Sequence, residues 1–188
     1  MKAAWLGLAA LVLGAGVAVA AELKSGLQPG EDLGAFEVEK CAGAVNDGRK
    51  AGDTFCYRCM LGNRPVVMVF ARKADDKLAK LVKELDKEVA EHADEKLGSF
   101  VNLIGKDASA LKKTAKEFAE KNKVDHVALV VPQDHENGPT SYNVSPDAEV
   151  TVIIYNKGKV AANHAFASGK LDAKAIAAIV ADTDKMLN

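Results

Sequence analysis

The chain has 188 residues, of which 48% are hydrophobic, 27% charged and 5% aromatic, and its 25 Lys and Arg nearly balance 26 Asp and Glu. This is the profile of one ordinary globular domain, and a net charge of -1 with no basic stripe argues against a nucleic-acid partner. Five Pro, 15 Gly and apolar residues recurring in periodic segments exclude a disordered or collagen-like chain.

Met1-Lys2, the small and apolar run Ala3 to Val17, and Ala18-Val19-Ala20 as a small-x-small cleavage site together read as a secretory signal peptide over residues 1–20. The expected protein is therefore exported, periplasmic or secreted, with no stable membrane anchor after cleavage. Residues 21–34, with Gly, Pro and Ser at turn positions, read as a surface-running lead-in to a domain spanning 35–188. Within that domain, 35–64 carry a hairpin and the clustered cysteines, and 65–188 form the core.

From Phe36 the pattern alternates, with Phe36, Val38 and Lys40 on one side and Glu37, Glu39 and Cys41 on the other. Asn46-Asp47-Gly48 signals a hairpin turn, with a return strand through Lys50 to Phe55 that would carry Cys56 back towards Cys41. After Pro65, VVMVFA is a continuous apolar run suited to a central strand covered on both faces. Asp75 caps a helix with Leu78, Leu81, Val82, Leu85 and Val89 along one face. A strand at Phe100 to Ile104 follows, then Asp107 caps a helix facing inward through Leu111, Ala115 and Phe118. Residues 126–131, HVALVV, form another buried-type strand, and a long loop to Glu149 is either functional or partly helical. The chain closes with a hairpin turning at Asn156-Lys157-Gly158 and an Asp172-capped helix, stapled by Leu171 and Ile176. Strands alternating with helices imply right-handed parallel crossovers, with an antiparallel pair added by the last hairpin.

This order, with PGEDLGAFEV, PVVMVFA, HVALVVPQD and EVTVIIYNKGKVAANHAF as its pieces, resembles the thioredoxin superfamily in its redoxin-like branch of peroxiredoxins and thiol-disulfide oxidoreductases. CYRCMLGNRPVVMVFAR is also similar to uncharacterised secreted redoxin-like proteins of planctomycete-type bacteria. The resemblance implies an α/β, thioredoxin-like three-layer sandwich with a mixed central sheet and an added N-terminal β-hairpin. It also implies a protein thiol or disulfide as partner and no cofactor.

The resemblance breaks at the catalytic position. Enzymes of this superfamily place their cysteine just after the central strand, where this chain has Ala71-Arg72-Lys73-Ala74-Asp75-Asp76. What remains is a displaced CxxC, Cys56-Tyr57-Arg58-Cys59, before the central strand. Its spacing allows a small redox-active ring in which Arg58 would support a thiolate. Three cysteines permit three single bridges: Cys56 to Cys59, Cys41 to Cys56 across the hairpin, or Cys41 to Cys59. Three readings stand: thiol-disulfide exchange with Cys56 and Cys59 as catalytic residues, a structural disulfide in a binding or scaffold protein, or a Zn or Cu site with Cys41 as a further thiolate. No second CxxC or HxxxH completes a zinc motif, so no metal ligands are assigned. Met60 reads as a packing residue, and His92, His126 and His164 as structural or solvated. Asp134-His135-Glu136 reads as a solvated turn, and Arg72 with Lys73 as a surface pair at the vacated catalytic loop rather than an anion site.

Overall fold

The computed structural model describes residues 23–188; the signal-peptide reading of residues 1–20 lies outside them. Val66–Ala71 (β3) is buried at every position, as a fully apolar run requires, and lies at the heart of the molecule. It pairs in parallel with β4 (Gly98–Leu103) and antiparallel with β6 (Val150–Asn156). With β1 (Val38–Gly43), β2 (Thr54–Phe55), β5 (Ala128–Pro132) and β7 (Lys159–Phe166), the described residues form one seven-stranded sheet in the order β2-β1-β5-β4-β3-β6-β7.

Three long helices lie on one face of the sheet: α2 (Asp76–Glu91), α3 (Ala108–Asn122) and α4 (Ala173–Leu187). Each begins where the sequence places a cap. The carboxylates of Asp75, Asp107 and Asp172 accept backbone N–H groups of the first turn. Leu78, Leu81, Val82 and Leu85 of α2 and Ala115 and Phe118 of α3 are buried against the sheet, with Leu111 at the margin. Leu171 and Ile176 close the entry to α4, both buried. Among the described residues no helix is long and apolar enough to cross a membrane.

The third layer, on the opposite face, is thin. It consists of α1 (Tyr57–Leu61), a 3-10 turn at Thr140–Tyr142 inside the long loop, and the lead-in, packed around Met68, Phe70, Phe100 and Tyr155. The lead-in corrects its surface-running reading: Ser25, Leu27 and Leu33 are buried. Gly30 N–H donates to Val160 O and Val160 N–H to Glu31 O, so this segment also covers the outer edge of β7. Asn163 fixes it further by donating to the carbonyls of Ser25 and Leu27, each at 2.9 Å.

The N-terminal hairpin also departs from the expected form. The return strand is Thr54–Phe55 alone, paired with Glu39 and Val38, and residues 44–53 form a loop instead of a tight turn. The reason is Lys40. It lies on the apolar side of β1 with 3% exposure, so its ammonium needs partners inside the protein. It donates to Ala44 O (2.9 Å), Asp47 Oδ1 (2.6 Å) and Arg49 O (3.0 Å), and these contacts wrap the loop around it. The second oxygen of Asp47 accepts the Tyr57 hydroxyl, joining the loop to α1.

Asp47→Ala removes the counter-charge from a buried ammonium and the acceptor of Tyr57. Urea unfolding should show a loss of about 3 kcal/mol. Asp53→Ala, which removes only an exposed bond from Lys50 N–H, should cost under about 1 kcal/mol. Equal losses would contradict the role given to Lys40.

Candidate functional site

The chain leaves Phe55 and turns directly into α1, and this local choice decides the cysteine chemistry. One helical turn brings Cα atoms of Cys56 and Cys59 to 5.2 Å, and their sulfurs are bonded. Cys56 is the N-cap: its Sγ accepts the Cys59 N–H at 3.0 Å. Cys59 is exposed and Cys56 half-buried.

The expected alternative pairs through Cys41 do not form. Cys41 is a buried free thiol on the face of β1 that looks at α3, whereas α1 packs on the other face. The sheet therefore separates Cys41 from the Cys56–Cys59 pair, and a site using all three thiolates is not built. Burial, reinforced by the Glu39 carboxylate, pushes the Cys41 thiol up to about 11, so it stays protonated and unreactive at neutral pH.

The two residues inside the ring anchor it. Tyr57 is buried, stacked on Phe100 with centroids 5.2 Å apart and set against Phe55 at 4.7 Å. Burial, then the bond to Asp47, pushes its phenol well above the ordinary tyrosine range, so it remains a donor. Arg58 makes no hydrogen bond to either sulfur of the closed ring, and its guanidinium lies against Gly158 in the β6–β7 turn. The φ of +75° favours glycine at 158, and its bare Cα leaves room for Arg58. Arg58 Nε and the Tyr155 hydroxyl are buried without hydrogen-bond partners among the described residues.

Beside α1 lies an open cleft of about 340 Å³, lined by Asp47, Tyr57, Met60, Leu61, Gly98 and His126 among others. Met60 packs partly against the core, as the packing reading expected, and also walls this cleft. The residues directly after each cysteine thus shape a concave surface next to the disulfide. All of this lies at the N-terminal end of β3, where Val66 faces Gly98 and Tyr155.

The C-terminal end of β3 lies roughly 17 Å away by the usual rise per strand residue, and it is closed by other groups. Arg72 donates to the carbonyls of Ala148, Glu136 and Ser145, holding the long loop in place. Lys73 pairs with Glu149 at 2.6 Å, and Glu149 also accepts from Ser168 Oγ and Gly169 N–H. Both basic residues are thus structural ties, more committed than the surface pair expected. His135 Nδ1 meets Gly105 O at 2.8 Å, so the Asp134-His135-Glu136 turn is fixed by its histidine. His126 is exposed, and His164 stands 3.0 Å from an Asp182 carboxylate oxygen.

Lys73 and Ser168, as hydrogen-bond donors, hold the Glu149 carboxyl down to about 2, against an ordinary value of 4.5. A depressed folded value means the native state binds this proton less readily than the unfolded chain. The stabilisation is therefore full above the unfolded value and is lost as pH falls from about 4.5 towards 2. Unfolding midpoints measured across that window should fall less steeply in Glu149→Gln than in the parent; parallel curves would contradict the network.

No family model matches the chain, and no curated protein does. Solved structures do. A Chlorobium tepidum protein provisionally described as the thiol:disulfide interchange protein DsbE is 14% identical with a TM-score of 0.63, over 86% of this chain and 99% of that one. AhpC of Mycobacterium tuberculosis is 12% identical with a TM-score of 0.63, over 85% and 93% of the two chains. A Bacteroides thetaiotaomicron protein provisionally described as a protein disulfide isomerase is 14% identical with a TM-score of 0.60, over 87% and 92%. At such identities the likeness is one of architecture. The chain has a thioredoxin-like fold, with an N-terminal hairpin added to the core.

Proposed function

We propose that this protein is an exported thiol-disulfide oxidoreductase whose reacting pair is Cys56 and Cys59. The observation that carries the reading is the ring itself: a disulfide closed across one helical turn, with Cys59 exposed and Cys56 Sγ accepting the Cys59 N–H. The export part rests on the N-terminal sequence alone, and an oxidising compartment suits a chain with a formed disulfide.

The asymmetry of the two sulfurs suggests an order. A partner thiolate attacks the exposed Cys59 sulfur, the Cys56–Cys59 bond breaks, and its electron pair leaves on Cys56. The N–H bond favours that thiolate. A second partner thiolate then attacks the partner sulfur of the mixed disulfide and displaces Cys59. Two partner thiols become a disulfide, two electrons reduce the ring to the dithiol, and the two thiol protons pass through solvent to Cys56 and Cys59. The reverse sequence reduces a partner disulfide. The cleft walled by Tyr57 and Met60 is the surface on which a polypeptide partner would lie.

A second reading draws on the closed C-terminal end of β3, where Arg72 and Lys73 build structure instead of catalysis. In that reading the protein is a binding or scaffold protein and the bridge serves stability. Exchange with glutathione separates the two. Cys56→Ser should trap a mixed disulfide between Cys59 and glutathione, Cys59→Ser should trap little, and either change should abolish turnover while Cys41→Ser leaves it intact. Trapping in the opposite variant would reverse the order, and full exchange activity in the double variant would sink the assignment.

A further inference from the structure

The C-terminal ends of α2 and α4 meet on the face of the sheet opposite α1, and they bring together three side chains that the redox reading does not use. Glu88 and His92, four residues apart, lie at the end of α2; Asp184 lies in the last turns of α4. His92 Nε2 is 3.6 Å from Glu88 Oε2 and 3.8 Å from Asp184 Oδ1, and all three donor atoms lie within 4.8 Å of one another.

Glu88 is the unusual member. It is only 6% exposed, yet its carboxylate accepts no hydrogen bond among the described residues, and the imidazole beside it stands beyond hydrogen-bond distance. A carboxylate with so little exposure and no protein hydrogen bond is well placed to take a cation on its open side. The neighbouring ammonium groups are engaged elsewhere: Lys87 pairs with Glu91, and Lys185 with Asp182 at 2.7 Å. The last turn of α2 holds no basic residue, and the C-terminal ends of two helices add negative partial charge at the same place.

We propose that Glu88, His92 and Asp184 bind one divalent transition-metal ion of the zinc class. A tetrahedral ion with bonds of about 2.1 Å requires neighbouring donors about 3.4 Å apart. The observed 3.6 and 3.8 Å, with the Glu88 and Asp184 oxygens within 4.8 Å of each other, reach that spacing by a contraction that Asp184, half-exposed, can supply. His92 Nδ1 faces Glu95 Oε2 at 3.7 Å, so the ring has a carboxylate behind it when Nε2 is the ligand. Three protein donors leave one tetrahedral position for water or an external ligand. The ion would join α2 to α4 and is independent of the cysteine pair.

Titration of the oxidised, full-length protein with Zn²⁺ by calorimetry tests the site with the cysteines held in their disulfide. One equivalent should bind with a Kd in the micromolar range or below. Asp184→Asn, Glu88→Gln and His92→Ala should each weaken binding by about tenfold or more, while Glu84→Gln, on α2 but outside the cluster, should not. Co²⁺ should give tetrahedral-type visible bands that vanish in His92→Ala, with far-ultraviolet circular dichroism showing that the variants remain folded. The proposal fails if no saturable binding occurs up to millimolar Zn²⁺, or if the His92→Ala, Asp184→Asn double variant binds as tightly as the parent.

Discussion

The site depends on one buried ammonium. Lys40 enters the protein on the apolar side of β1, where burial makes its ammonium depend on protein partners. Ala44, Asp47 and Arg49 supply them, so the loop after β1 closes around the lysine instead of forming a flat hairpin. Asp47 then accepts from Tyr57 as well, and Tyr57 follows Cys56 directly. The chain of contacts from Lys40 through Asp47 to Tyr57 fixes α1 against Phe100, and with it the cysteine ring. A charge that would be a liability in an apolar face thus organises the irregular loop of the hairpin.

The C-terminal end of β3, where the superfamily resemblance implies a catalytic cysteine, carries structural ties instead. At the C-terminal end, Arg72 and the Lys73–Glu149–Ser168 network tie the long loop and the start of α4 to the sheet. At the N-terminal end, a short helix, a disulfide and a cleft occupy space beside the β6–β7 turn, where Gly158 admits Arg58. A central strand buried on both faces gives rigid support at both ends, and the fold alone does not dictate what either end does.

Much of the architecture was legible in the sequence because it is set locally. The caps Asp75, Asp107 and Asp172, the staple of Leu171 and Ile176, the apolar run of β3 and the turn at Lys157-Gly158 act over a few residues. What could not be read depends on partners distant in the chain. The lead-in is buried because Asn163 and the edge of β7 receive it. Arg58 meets Gly158 across about a hundred residues of chain. Lys40, aligned with Phe36 and Val38, carried a signal in its inward position, but nothing local named Asp47 as its counter-ion. The cysteine pairing turned on whether the chain becomes helical immediately after Phe55, a choice that spacing alone left open among three bridges. Glu88 and His92 share a helix face in sequence, whereas Asp184 joins them only through the packing of α2 on α4.

The account stands or falls on whether the Cys56–Cys59 ring exchanges electrons in a physiological range. The direct measurement is a redox titration of the purified protein, with mass spectrometry identifying the paired cysteines at each potential. A Cys56–Cys59 couple titrating between about -120 and -270 mV, the span of exchange catalysts, is the predicted result, with Cys41 a free thiol throughout. A bridge that stays oxidised below about -300 mV, as structural disulfides do, would contradict it.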